Sequence, residues 1–203
     1  MQGNGGNETI FTMEATPLKY GPGAAEEVGW EVGRLGVSRV MLVSDPGVVA
    51  AGITPRVQEL IEGEGIEVEV WDRSRVEPTA GSLQAAADYA VEGEFDGFVA
   101  VGGGTSIDTA KVAALIATHG GEIMDYVNAP VGGGKKPPSP LKPLLAVPTT
   151  AGTGAEVIAG AAASTTIESR TVAETAPAAL RHWTSMVLGP LPAGSATPVR
   201  DVA

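Results

Sequence analysis

A short apolar run, Phe98-Val99-Ala100-Val101, ends in three glycines, Gly102-Gly103-Gly104, and a helical pattern opens directly behind them at Thr105 or Ser106. A run that is apolar at every position reads as a strand buried on both faces. Such strands belong to parallel sheets, whose neighbours are joined by crossovers long enough to hold a helix. Glycine at the junction lets the chain turn sharply and leaves the backbone bare for a ligand. The helix start behind it offers unpaired N–H groups and the positive end of a dipole, which suits a phosphate. An ordinary strand-to-helix turn would use the same residues. A second loop shifts the balance towards a cofactor crevice. Pro148-Thr149-Thr150-Ala151-Gly152-Thr153-Gly154-Ala155-Glu156 also follows an apolar run, Leu144-Leu145-Ala146-Val147, and is rich in hydroxyls and glycine.

The preceding chain repeats this alternation. Residues 1–8 are Gly/Asn-rich and expected to fray. Thr9 to Tyr20 reads as a strand or hairpin broken at Pro17, and Gly21-Pro22-Gly23 turns into a helix from about Ala24 to Leu35, closed by Gly36. Arg39 to Ser44 is the first clear buried strand, ended by Asp45-Pro46-Gly47. Thr54-Pro55 predicts an N-cap followed by proline at the first helical position, with the helix running to about Glu64. Glu67 to Trp71 alternates valine with glutamate, the pattern of an edge strand with one wet face. Ser82 is expected to cap a helix to about Glu92, whose apolar residues recur at helical spacing. Ala129 to Lys142 holds too much glycine and proline for regular structure. It reads as a surface loop, with Lys135 or Lys136 reaching a cofactor phosphate as the alternative.

Strands alternating with helices place the chain in the α/β class, as a Rossmann-like parallel sheet with flanking helices. Ligands of such sheets sit at the carboxyl ends of the strands, where Asp45, the glycine triplet and the Thr149 loop all fall.

GGGTSIDTAK (Gly102 to Lys111) together with PTTAGTGAE (Pro148 to Glu156) resembles the paired signature of the iron-containing, group III alcohol dehydrogenases. Thr9 to Gly23, Arg75 to Thr79 (RVEPT) and Asp125 to Lys142 extend the likeness over roughly residues 8–157, and this wider set is most similar to the hydroxyacid-oxoacid transhydrogenase branch. A glycerol dehydrogenase or dehydroquinate synthase shares the glycine loop and Asp-x-x-Lys pattern and is the alternative within the same fold group. The resemblance implies a dehydroquinate synthase-like nucleotide-binding domain over residues 9–157 with NAD as cofactor. It also implies hydride transfer between a hydroxyacid or alcohol, such as 4-hydroxybutyrate, and an oxoacid or aldehyde. In full-length members a divalent metal, iron or zinc, is held by one Asp and three His of a helical C-terminal domain.

The candidate cofactor-binding residues follow. A carboxylate at Asp45 can accept ribose hydroxyls and would repel a 2′-phosphate, favouring NAD, while a turn aspartate before Pro46 is the local alternative. Gly102, Gly103, Gly104 and Thr105 can offer N–H groups and a hydroxyl to the pyrophosphate. Asp108 and Lys111 stand three apart on one helical face, as an ion pair or as ligand contacts. Thr149, Thr150 and Thr153 carry hydroxyls for adenine, ribose or phosphate, or for a self-bonding turn. Glu156 is given no chemistry beyond anchoring the loop.

Only His119 and His182 occur, and there is no cysteine, so the family's metal set cannot be assembled from this sequence and no metal ligand is expected here. His119 reads as a C-terminal cap of the glycine-loop helix. Residues 158–203 are alanine-rich and lack strand alternation, and the resemblance stops after Val157. They are expected to be a divergent, truncated or frame-shifted tail in loose helix or disorder. With the helical domain missing, the chain is expected to bind nucleotide without turnover, or to be a non-catalytic nucleotide-binding fragment. Thirteen basic and twenty-four acidic residues leave a net charge of −11 with no basic stripe, which disfavours nucleic acid or an anionic membrane as partner. No apolar run reaches the eighteen or so residues of a membrane span. The N-terminal residues show neither a basic n-region nor an apolar core. Cytoplasmic location, a small-molecule substrate and, as an open option, a homo-oligomer complete the expectation.

Overall fold

The computed structural model of the chain describes residues 18–21, 23–150 and 183–187. Six parallel strands form one sheet: β1 (Leu18–Tyr20), β2 (Arg39–Val43), β3 (Glu67–Trp71), β4 (Gly97–Gly102), β5 (Leu144–Pro148) and β6 (Trp183–Val187). Their order is β1-β6-β5-β4-β2-β3. From β2 the chain steps outward to β3, returns across β2 to β4, and then runs the other way through β5 and β6. The direction of winding therefore reverses between β2 and β4. With β1 set aside at the far edge, this is the 2-1-3-4-5 order, one of the two common doubly wound arrangements. β4 and β5, inside the sheet, are buried at every residue, whereas β3 is an edge strand with Glu67 exposed, as its alternation predicts.

The helices are α1 (Val28–Arg34, entered through a 3-10 turn at Ala24–Glu27), α2 (Pro46–Ala50), α3 (Ile53–Glu62), α4 (Ala80–Glu92), α5 (Gly104–His119) and α6 (Ile123–Tyr126). Side chains alternate across a strand, so each strand feeds two cores. Met41, Phe98, Ala100 and Leu144 pack under α4 and α5 on one face. Val40, Leu42, Val99 and Leu145 pack under α1 and α3 on the other. α5 is buried at every position from Ser106 to Ile116, because it lies between the sheet and α4. α1 approaches α3 backbone to backbone at Gly29, where an added Cβ would lie 2.1 Å from the Leu60 carbonyl oxygen.

Two expected caps shift. Gly52, at φ 77°, takes the left-handed position before α3, so that helix starts ahead of Thr54. Pro55 still falls in the first turn, where its missing N–H costs no helical bond. Thr79, not Ser82, is the N-cap of α4; Ser82 sits three residues in and bonds back to it, completing a reciprocal box. Asp45-Pro46-Gly47 opens the short helix α2 rather than merely closing a strand.

β6 lies in the stretch expected to be loose helix or disorder, yet it is a strand held between β5 and β1. Its pairing edge comes from β5, a long-range partner that no local alternation reveals. The rest of residues 158–203, and residues 1–17, lie outside the described residues. Among the described residues no helix is long and apolar enough to cross a membrane.

Candidate functional site

Register alone brings three segments to one height. Val43 pairs with Ala100 and Gly102 with Pro148. Asp45, two residues beyond Val43, is therefore level with Gly102, and Thr149 follows one residue above Pro148. The Thr149 N–H donates to the Gly102 carbonyl at 2.9 Å and ties the two loops together. These are the carboxyl ends of β2, β4 and β5, at the point where the winding reverses.

Asp45 divides its two oxygens between two tasks. Oδ1 accepts from the N–H groups of Gly47 (2.9 Å) and Val48 (3.1 Å), capping α2. Oδ2 faces Gly102, 3.2 Å from where a Cβ on that glycine would stand. The turn-aspartate and ligand-binding readings thus fall on different atoms of one carboxylate. Beneath it, the buried Ser44 Oγ donates to the Val101 carbonyl at 2.8 Å. Its one proton being used there, it must accept from Thr54 Oγ1 at 2.7 Å. This pair of hydroxyls, missed in the sequence, pins the end of β2 to β4 and α3. The available signal was a serine closing an apolar strand just before an aspartate.

The glycines of the loop are there for different reasons. Gly102 has φ +152°, and a Cβ would meet Ser106 Oγ at 2.5 Å and Ser106 Cβ at 2.8 Å. Both conformation and packing demand glycine. Gly103 has an ordinary extended backbone (φ −76°, ψ −174°), and among the described residues a Cβ on it would find nothing nearer than Thr150 Oγ1 at 3.7 Å. Neither strain nor crowding accounts for this glycine. It leaves room for a side chain between the backbone and Thr150.

Gly104 begins α5, whose N-terminus has no side-chain cap. Ser106 N–H and Ile107 N–H turn back onto the Gly103 carbonyl, and the N–H groups ahead of them have no partner inside the helix. The Thr105 hydroxyl is engaged elsewhere: it donates to the Val76 carbonyl at 3.3 Å, so Thr105 offers its N–H rather than its side chain. Asp108 and Lys111 are brought together at 3.5 Å and are buried within the helix. That is the ion-pair reading. Thr149 and Thr150 are exposed at the crevice. Thr153, with Gly152, Gly154 and Glu156, lies outside the described residues.

The alternative role for Lys135 and Lys136 is corrected by topology. Lys135 Nζ lies 5.1 Å over the Tyr126 ring, and the Tyr126 hydroxyl donates to the Gly120 carbonyl. Both sit past the carboxyl end of α5, whose sixteen residues span about 24 Å. The glycine loop is at the other end, and Lys136 is the exposed chain neighbour of Lys135. His119 does not cap its own helix: its Nε2 donates to the Ser139 carbonyl at 2.9 Å and fastens the Gly/Pro loop instead. Among the described residues no group of three or more His, Cys, Asp or Glu could hold a metal ion. These described residues offer backbone N–H groups, hydroxyls and one carboxylate oxygen rather than a set of metal ligands.

Comparison with known proteins points to the same group of proteins as the two loops. The family model described as iron-containing alcohol dehydrogenase matches residues 15–179, reaching beyond Val157. The chain is 44% identical over 147 residues to the mitochondrial hydroxyacid-oxoacid transhydrogenase of Rattus norvegicus, covering 72% of this chain and 32% of that protein. It thus spans about a third of the length of that relative. In structure it superposes on a 1,3-propanediol oxidoreductase with a TM-score of 0.68 at 24% identity, over 88% of this chain and 45% of the other. It superposes with the same score and identity on a sulfoacetaldehyde reductase from Bifidobacterium kashiwanohense in complex with NAD+, over 88% and 46%. At such identities the structural matches speak for the fold.

Proposed function

The chain belongs to the iron-containing alcohol dehydrogenase family, and from that premise we propose that its crevice binds NAD as the nucleotide half of an oxidoreductase. The observation that carries this reading is the room over Gly103 at the start of α5, where among the described residues an added Cβ would meet nothing nearer than Thr150 Oγ1 at 3.7 Å. The N–H groups of Gly104 and Thr105 receive the pyrophosphate, with the dipole of a sixteen-residue helix behind them. Asp45 Oδ2 accepts a ribose hydroxyl and disfavours a 2′-phosphate at the same place. Thr149 and Thr150 supply neutral hydroxyls on the β5 side. Ser44 and Thr54 hold the Asp45 backbone so that its free oxygen stays above Gly102.

Bound nicotinamide would supply hydride transfer between a hydroxyacid, 4-hydroxybutyrate-like, and an oxoacid, the substrate class in the rat relative's name. No metal-dependent step is assigned to these residues, and nucleotide binding without turnover is the activity proposed for this chain. The rat relative's name puts that protein in the mitochondrion.

The test separates charge from capping. Asn at position 45 keeps an oxygen for the N–H groups of Gly47 and Val48 but removes the negative charge. Calorimetry should show the unmutated chain binding NAD more tightly than NADP, and Asp45→Asn should narrow that gap without lowering Tm by more than a few degrees. Equal affinity for both cofactors in the unmutated chain would remove Asp45 from the site. Product formed from 4-hydroxybutyrate and 2-oxoglutarate with added iron(II) or zinc would overturn the absence of turnover.

A further inference from the structure

The RVEPT stretch, Arg75 to Thr79, lends no side chain to the Asp45 and glycine loops, yet the backbone on either side of Arg75 is tethered to both of them. The Ser74 N–H donates to the Ser44 carbonyl at 3.2 Å, one residue before Asp45. The Val76 carbonyl accepts from Thr105 Oγ1 at 3.3 Å, in the first turn of α5. Arg75 sits between these two anchors, so the loop spans from the aspartate to the glycine loop with an arginine at its middle. Ser74 is buried, which fixes the backbone on one side, while Arg75 itself is exposed.

The state of that arginine is unusual in an acidic chain. Among the described residues the other lysines and arginines are engaged by carboxylates, carbonyls or aromatic rings, with the exception of Lys136. Even its near neighbour Arg73 lies over the Trp71 ring at 4.9 Å. Among the described residues Arg75 has no such partner, although the chain carries a net charge of −11. Lys136 is at the far end of α5, beyond the reach of the crevice. An exposed arginine whose backbone neighbour is tied to the first turn of α5 is suited to a phosphate group there, which its planar fork meets with two parallel hydrogen bonds.

We infer that Arg75 is a phosphate-binding residue of the crevice that clamps the pyrophosphate of the dinucleotide from the β3 side, opposite the N–H groups of α5. This rests on the nucleotide reading of the crevice. A phosphate could reach Arg75 from two sources, the pyrophosphate or the 2′-phosphate of NADP. Asp45, one tether away, makes the ribose side unfavourable for the second.

The experiment compares the unmutated chain with Arg75→Gln, Arg75→Lys and Lys136→Gln by calorimetry with adenosine, ADP, NAD and NADP. Arg75→Gln should weaken ADP and NAD by about 10- to 100-fold, the range for one hydrogen-bonded charged group. Adenosine affinity and Tm should stay unchanged, Arg75→Lys should recover part of the loss, and Lys136→Gln, with the same change of charge, should lose nothing. A loss confined to NADP, or an equal loss in Lys136→Gln, overturns the clamp. So does unchanged ADP binding in Arg75→Gln when the unmutated chain binds ADP. If the unmutated chain binds neither ADP nor NAD, the nucleotide reading itself fails and the clamp with it.

Discussion

Adjacent glycines in the same loop should respond to alanine in opposite ways. At Gly102 a methyl group must adopt φ +152° and stand 2.5 Å from Ser106 Oγ, with Ser106 Cβ at 2.8 Å. The backbone strain is worth about 1–3 kcal/mol. Forcing the methyl against the first turn of a buried helix adds about 1–3 kcal/mol. Against a domain stability on the order of 5–15 kcal/mol, Gly102→Ala should lower Tm by many degrees or prevent folding. At Gly103 the backbone is already extended and the nearest atom of the described residues to the new methyl is 3.7 Å away, an ordinary contact. There alanine removes freedom from the unfolded chain and should stabilise by about 0.4–1 kcal/mol. The same methyl fills the room over Gly103, so NAD affinity should fall by roughly 5- to 150-fold, the equivalent of about 1–3 kcal/mol of steric cost. Thermal unfolding followed by circular dichroism, with calorimetric titration of NAD, reads both quantities. A Gly103→Ala chain that is more stable and binds poorly is the expected outcome. If Gly103→Ala binds NAD as well as its parent, or unfolds as Gly102→Ala does, the separation of structural from binding glycine is wrong.

Two further perturbations test the scaffold. Asp96 is half-buried, and burial alone would raise its pKa; hydrogen bonds from the Ser38 hydroxyl and the N–H groups of Arg39 and Ser38 outweigh this and hold it below its ordinary 3.8. A depressed carboxylate contributes stability that is complete above the unfolded-state pKa and disappears as pH falls through the folded-state value. Asp96→Asn should therefore cost about 1–3 kcal/mol at neutral pH, and the gap to the parent should close below about pH 3.8; a constant gap in urea midpoints from pH 7 to 3 contradicts this. Gly29→Ala should push α1 away from the Leu60 carbonyl, a contact the methyl would make at 2.1 Å, and lose about 1–3 kcal/mol or more despite alanine's better helix propensity; a stabilised variant in thermal melts would show that α1 and α3 do not touch there.

Much of this protein could be read from local pattern. Four buried or edge strands, the glycine loop and the carboxyl-end placement of Asp45 and Thr149 follow from runs of four to nine residues. Burial period and turn chemistry are properties of such short windows. The division of the Asp45 oxygens, one capping α2 and one turned to Gly102, the hydroxyl pair of Ser44 and Thr54, and the engagement of the Thr105 hydroxyl by Val76 were invisible there. Each joins residues at least ten apart, or depends on which of two equivalent oxygens a helix claims.

The amino-acid sequence by itself determined the α/β class, the two hydroxyl- and glycine-rich loops, and which glycines and acids could matter. Tertiary structure decided the order β1-β6-β5-β4-β2-β3, the register that sets Asp45 level with Gly102, and the place of β6. It also set Lys135 and Lys136 at the far end of α5 and tied the backbone on either side of Arg75 to Ser44 and Thr105. The physical reason is range. A side chain's preference for strand, helix or turn is settled by its near neighbours, whereas strand order and register are settled by how two apolar faces close over one sheet. Nothing in a window of a dozen residues records which distant strand that closure will bring alongside.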